Sequence, residues 1–229
     1  MCDNMEDGDV VVIDYTGRIK ESGELFDTTL KDVAEEEGAV NENAKYEPIK
    51  ILIGGEMVVG GLEEAVRDME VGEKRKIEVP PEKAFGGRDG DLIKTFSESK
   101  FKNQDMNPYP GMRVTLDGQV GRILSVNSGR VRVDLNHPLS GRTLDYEVEV
   151  KEKVEDPEEE VKAVVQHYLG EEVEVEVEDK EANVTIPEGI NDDVVDQLRK
   201  KVLAIKDLEE AVFEEEDVDE PEKEDKESE

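Results

Sequence analysis

Phe26-Asp27 places an acid directly behind an aromatic ring in a stretch otherwise suited to a core. A carboxylate there is costly without a hydrogen-bonding partner, which makes Asp27 a candidate for polar work at the edge of an apolar site. Other chemistry-bearing residue types are scarce. His137 and His167 are the two histidines, a poor supply for a transition-metal site. His167 falls on an amphipathic helix pattern and reads as a surface residue, while His137 precedes Pro138 at a domain junction. Cys2, the single cysteine, has no partner thiol and reads as incidental. The many carboxylates show no EF-hand spacing, and there is no GxSxG, HExxH or P-loop. The usual hydrolytic and redox constellations are therefore absent, and neither a metal nor a cofactor is called for.

The elements that must position these residues can be read from periodicity. Val10 to Tyr15 is a β-branched run that predicts a strand, with Thr16-Gly17 as a turn signal. Lys31 to Lys45 reads as a loop or short helix, and Pro48 to Ile53 as a strand stopped by Gly54-Gly55. Leu62, Ala65, Val66 and Met69 share one helix face, with Gly72 suited to a left-handed C-cap. Arg75, Ile77 and Val79 alternate in the next strand, which ends at Pro80-Pro81. Three short alternating runs, 112–116, 119–126 and 130–135, are separated by Asp117-Gly118 and Asn127-Ser128-Gly129, both hairpin signals. Leu144 to Val150 alternates again. After Glu155-Asp156-Pro157 an α-β-β-α order follows: a helix face at Val161, Val164, Val165 and Tyr168, strands at 173–177 and 182–186, and a second helix face at Val195, Leu198, Val202 and Ile205. Its exposed strand edges leave a homodimer open.

The divisions drawn from this are 1–87 with 136–154 as one domain, 88–135 as an inserted β domain, 155–213 as a small α+β domain, and 214–229 as a disordered acidic tail with too little apolar content to order. The 229 residues carry 62 acidic and 29 basic side chains, a net charge of -33. That balance argues against binding nucleic acid through its phosphates. It also leaves adaptation to salt open, although about 19 lysines count against it. No apolar run is long enough to span a membrane and the first residues do not resemble a signal peptide, so the expected location is the cytoplasm.

Five strings occur in one order: VVVIDYTG (Val10–Gly17), Glu24-Leu25-Phe26-Asp27, Gly54-Gly55-Glu56-Met57-Val58-Val59-Gly60-Gly61-Leu62-Glu63, Met69-Glu70-Val71-Gly72-Glu73-Lys74, and Pro80 with Ala84-Phe85-Gly86, closed by the Leu144–Val150 strand. Together they resemble FKBP-type peptidyl-prolyl cis/trans isomerases over roughly half the chain. The 48 residues between Gly87 and Asn136, followed by Asn136-His137-Pro138-Leu139-Ser140-Gly141, look like the SlyD-like and archaeal branch, in which an inserted module captures unfolded chain.

The resemblance implies an α+β fold, an antiparallel sheet wrapped around one helix. It implies catalytic roles for Tyr15, Asp27 and Phe85, and a prolyl pocket lined by Phe26, Ile49, Val58, Val59, Leu62 and Tyr146. Leu62 stands at the pocket floor, where many compact members have Trp. Phe85 stands where many have Tyr, which implies an altered rate and weaker macrolide affinity. The implied partners are unfolded or partly folded chains with Xaa-Pro bonds, with neither nucleic acid nor membrane. The competing reading is a non-catalytic holdase on the same fold. A metallochaperone, as among SlyD-like proteins with His/Cys-rich tails, is poorly matched by this Asp/Glu/Lys-rich tail.

Overall fold

The computed structural model describes residues 5–216. Cys2 and most of the acidic tail therefore lie outside the described residues. The chain begins with strand β1 (Val10–Ile19), whose valines and Ile13 are almost fully buried. The Thr16-Gly17 pair is not a turn. Both residues lie within β1, and the ladder slips by one residue between Gly17 and Arg18. The slip is a β-bulge in which β2 carries the extra residue, Phe26.

The chain then returns antiparallel in β2 (Leu25–Thr28) and forms the short helix α1 (Lys31–Glu36). It re-enters the sheet as β3 (Ile49–Leu52), pairing with the first half of β1 while β2 pairs with the second. Helix α2 (Gly60–Arg67) crosses the sheet with Leu62 and Val66 buried. Gly61 is where β4 approaches it: a Cβ there would meet Val79 at 2.5 Å. Helix α2 ends at Arg67, so Gly72 (φ +84°) is not its cap; it serves the turn into β4 (Lys74–Val79), its N–H donating to Val150 O at 2.7 Å.

Past two short 3-10 turns, the chain leaves this sheet for a second one built from β5 (Ile93–Ser97), helix α3 (Glu98–Lys102), β6 (Arg113–Leu116), β7 (Gln119–Asn127) and β8 (Arg130–Asp134), in the order β5-β8-β7-β6. Asp117 and Gly118 both have positive φ, as the primed turn of a tight hairpin requires. This sheet has its own core of Phe101, Val114, Leu116, Ile123, Val131 and Val133. The two crossings into it are stapled together: Asp89 N donates to Asn136 Oδ1 at 2.8 Å and Asn136 Nδ2 donates to Asp89 O at 2.9 Å.

The chain rejoins the first sheet as β9 (Leu144–Lys153), between β1 and β4, giving the order β2-β1-β9-β4 with β3 beside β1. Helix α4 (Pro157–Leu169) follows, capped by the Asp156 side chain at its start and by left-handed Gly170 at its end. β10 (Glu174–Glu178) and β11 (Glu181–Ile186) form a hairpin, and α5 (Asp192–Val202) leads to β12 (Glu210–Glu215), which runs parallel to β11. This last strand was not foreseen, and it takes in Glu214 and Glu215, assigned from sequence to the tail.

The α4–β12 unit shares a continuous apolar core with the first sheet. Polar contacts fix the join: Tyr168 OH and Lys201 Nζ both donate to Gly55 O, at 3.1 and 2.9 Å. On the other side of α2's entry loop the Glu63 carboxylate accepts from Gly54 N and Glu56 N, at 3.1 and 3.0 Å. Buried Asp9 accepts from Glu6 N at 2.8 Å and pairs with Lys153 at 2.8 Å. No helix among the described residues is long and apolar enough to cross a membrane.

Candidate functional site

The first sheet, α2 and their connecting loops carry the sequence-predicted residues. Tyr15 comes from β1, Phe26 and Asp27 from β2, Ile49 from β3, Val58 and Val59 from the loop before α2, Leu62 from α2, and Tyr146 from β9. Phe85 follows the turn after β4. The eight apolar and aromatic members pack on one core cluster. Side chains alternate along a strand, so Tyr15 and Gly17 share a face of β1. The ladder sets Gly17 opposite Tyr146 on one side and Asp27 on the other.

Three rings meet there. Tyr15 and Tyr146 lie 6.0 Å apart between centroids, and Phe26 meets Tyr146 edge-on at 5.7 Å, the arrangement that ring quadrupoles favour. Gly17 makes this assembly sterically possible. An added Cβ would stand 2.5 Å from Phe26 Cζ and 3.0 Å from both Cε carbons.

Asp27 is exposed rather than buried, a correction to the expectation from its sequence context. Its partner is the one that matters chemically: Tyr15 OH donates to Asp27 Oδ2 at 2.6 Å, a short bond of the kind made to an ionised acceptor. Burial, reinforced by the Asp27 bond and charge, pushes the Tyr15 phenol above its ordinary range. Burial and then the same charge push Tyr146 up as well. Both phenols thus stay protonated at any ordinary pH, and Tyr15 is a fixed donor. Its backbone is fixed as well: Tyr15 N donates to Thr29 Oγ1 and Tyr15 O accepts from Thr29 N, both at 3.0 Å.

Leu62 is only 1 % exposed and Tyr146 4 %. Tyr15, Phe26, Ile49, Val58, Val59 and Phe85 are half-buried. The six half-buried residues thus offer a partly accessible apolar surface, to which Leu62 and Tyr146 add almost none of their own. Two clefts adjoin these residues, one lined in part by Tyr15 and the other by His137, which stacks on Phe85. One, of about 340 Å³, is on the side of β1 that carries Asp14, Thr16 and Arg18. The other, of about 1080 Å³, lies between the β6–β7 face of the insert and the 136–142 segment, and reaches His137 and Ser140.

Sequence reasoning assigned His137 no role at this site. Its ring stacks on Phe85, centroids 4.2 Å apart and planes within 9°. Ser140 Oγ donates to Phe85 O at 3.1 Å and Gly141 N to Gly86 O at 2.8 Å, so the 136–141 loop is sewn to the Phe85 segment. The loop motif was visible in the sequence, but the 52-residue separation from Phe85 hid the stacking.

In the insert, Phe101, Val114 and Ile123 fill its core, and Phe96, Met106 and Met112 pack against that core. Tyr109 and Val120 are left on the surface, 61 % and 65 % exposed.

Residues 2–104 match the profile of the FKBP-type peptidyl-prolyl cis-trans isomerase family, and residues 98–139 match that of the FKBP26 IF domain. The chain is 34% identical to the short-type peptidyl-prolyl cis-trans isomerase of Methanocaldococcus jannaschii over 152 residues, covering 66% of this chain and 96% of that protein. It is 32% identical to the FKBP-type peptidyl-prolyl cis-trans isomerase SlyD of Helicobacter pylori over 129 residues, covering 54% of this chain and 69% of that protein. Against the FKBP-type 16 kDa isomerase of Escherichia coli K12 the identity is 33% over 110 residues, 46% of this chain and 73% of that one.

Proposed function

This chain belongs to the FKBP-type peptidyl-prolyl cis-trans isomerase family, and from that premise we propose that it catalyses rotation about Xaa-Pro bonds in protein chains, using the partly accessible apolar surface of Tyr15, Phe26, Val58, Val59 and Phe85, while its insert holds the client. The observation that carries this reading is the convergence of Tyr15, Phe26 and Tyr146 around a glycine gap, with Asp27 tethering the Tyr15 hydroxyl at 2.6 Å.

The reaction makes and breaks no bond. Rotation about an amide meets a barrier of ~18–20 kcal/mol because the planar form is resonance-stabilised, and Xaa-Pro exchange alone takes roughly tens to hundreds of seconds. At the twisted geometry resonance is lost and the carbonyl oxygen carries less negative charge. A half-dry apolar surface therefore disfavours the planar amide more than the twisted one, and such differential binding accelerates the step. Each ~1.4 kcal/mol of difference is a factor of ten in rate. The prolyl ring sits against Phe26, Val58, Val59 and Phe85, with Leu62 and Tyr146 beneath. The Tyr15–Asp27 pair orients the polar edge of the substrate and takes no proton from it.

A partly covered apolar surface of this kind binds short peptides weakly. Tyr109 and Val120 on the insert offer apolar surface for an unfolded segment, which raises the effective concentration of its prolyl bonds toward the mM range. The test is a protease-coupled isomerisation assay on a Leu-Pro peptide beside refolding of a proline-limited protein, each run with and without residues 88–135. Catalysis of both is expected, with excision sparing the peptide rate and slowing refolding. A peptide rate equal to that of solvent leaves the holdase reading in its place.

A further inference from the structure

The insert differs in charge from the rest of the chain. Residues 88–135 hold eight basic and six acidic side chains, whereas the remainder holds 21 basic and 56 acidic. Three of those eight basic residues, Arg88, Arg113 and Arg122, line the 1080 Å³ cleft; Arg142 lines it too, from the segment leading into β9.

Arg113 and Arg122 are directly opposite each other in the β6–β7 ladder, a position where like charges repel. Both are exposed, as is Arg142, and none of the three forms an ion pair among the described residues. Arg88 is held by Asp134, and Asp134 is the cleft's single acidic wall residue. Asp134 also stands opposite Arg122 in the β7–β8 ladder, so four guanidinium groups share this one carboxylate; in a protein of net charge -33 that excess of positive charge forms a receptor for carboxylates. The cleft adjoins the candidate prolyl site through His137, which lines it and stacks on Phe85.

Resting on the isomerase reading above, we propose that this cleft selects client segments with Asp or Glu residues flanking the proline, the acidic flank lying along Arg113, Arg122 and Arg142 while the prolyl bond reaches the apolar surface beyond His137. Elsewhere the protein's own charge repels such a segment, so the cleft sets its direction as well as its affinity.

The experiment uses the full-length protein and three peptides with one Leu-Pro core: a neutral peptide, one with four glutamates before the proline, and one with four after it. At 20 mM salt one of the acidic peptides is expected to show kcat/KM about five- to tenfold above the neutral one, carried by KM, with the gap closing to under about twofold at 0.5 M NaCl. Charge reversal in an Arg113→Glu, Arg122→Glu double variant abolishes the preference and leaves the neutral peptide's rate unchanged.

Equal kcat/KM for all three peptides on the wild type overturns the proposal, as does a preference that survives the reversal. If no peptide is isomerised, the isomerase reading fails by itself, and fluorescence anisotropy decides the cleft separately: acid-selective binding lost in the double variant upholds it, and unselective binding overturns it. Displacement of the acidic peptide by equimolar single-stranded oligonucleotide assigns the site to nucleic acid and likewise overturns it.

Discussion

Gly17→Ala is the substitution whose effect can be worked out most fully. The new methyl would stand 2.5 Å from Phe26 Cζ and 3.0 Å from both Cε carbons. Relaxed carbon contacts begin near 3.5 Å, so the Phe26 ring must retreat by about 1 Å, away from its edge-on contact with Tyr146. Overpacking of this kind costs about 1–3 kcal/mol. Because the φ of Gly17 is not positive, alanine meets no backbone strain there, and its smaller loss of chain entropy returns about 0.5–1 kcal/mol. The net destabilisation is about 1–2 kcal/mol. The clash has one partner, so it vanishes when the ring is removed. Urea unfolding of wild type, Gly17→Ala, Phe26→Ala and the double variant reads this directly. In the Phe26→Ala background Gly17→Ala is expected to be neutral or slightly stabilising. Peptide kcat/KM in the single variant falls about tenfold, since the displaced ring is a wall of the site. Equal costs for Gly17→Ala in both backgrounds would refute the packing reasoning.

Two further outcomes follow from the electrostatics. Tyr15→Phe removes the donor to Asp27; because Asp27 is exposed water replaces the bond, so stability drops by less than about 1 kcal/mol while peptide kcat/KM falls roughly three- to tenfold, and a loss of folding on the same scale as the loss of rate contradicts a positioning role. Burial, with Asp9 beside it and only partial relief from Lys153, pushes Glu160 on α4 up to about 7. Between its ordinary value and about 7 the folded chain keeps a proton that the unfolded chain releases, so this residue lowers stability as pH rises through that window. Glu160→Gln should therefore unfold at a higher urea concentration than wild type at pH 8, by on the order of 1 kcal/mol after discounting for partial exposure, with no advantage at pH 4. A pH-independent difference would show that Glu160 is not held in that environment.

Local pattern disclosed much of the fold. β1, α2, β4 and the Asp117-Gly118 hairpin have strong periodicity or obligatory turn residues, and each forms as the predicted type of element, although β1 runs on past Thr16-Gly17 and α2 stops at Arg67, short of Gly72. Tertiary context decided the rest. Gly17 carries the same local signal whether it turns the chain or admits a ring, and only the position of Phe26 distinguishes the two. β12 has three central apolar residues, Ala211-Val212-Phe213, ahead of an acidic run. Its pairing is parallel, with a partner about thirty residues earlier, so no hairpin signal announces it. The candidate site residues could be named individually because each lies in a recognisable string, but the exposure of Asp27, the covering of Leu62 and the stacking of His137 on Phe85 are matters of long-range packing, to which residue type is blind.

The reciprocal Asp89–Asn136 bonds have a mechanical consequence. Two separate tethers would let the insert twist and drift independently of the body. Tied side by side, they form one strap, so insert and body meet at a single short joint. If the insert holds clients as proposed, the geometry of that one joint sets how far a captured proline stands from the place where it turns.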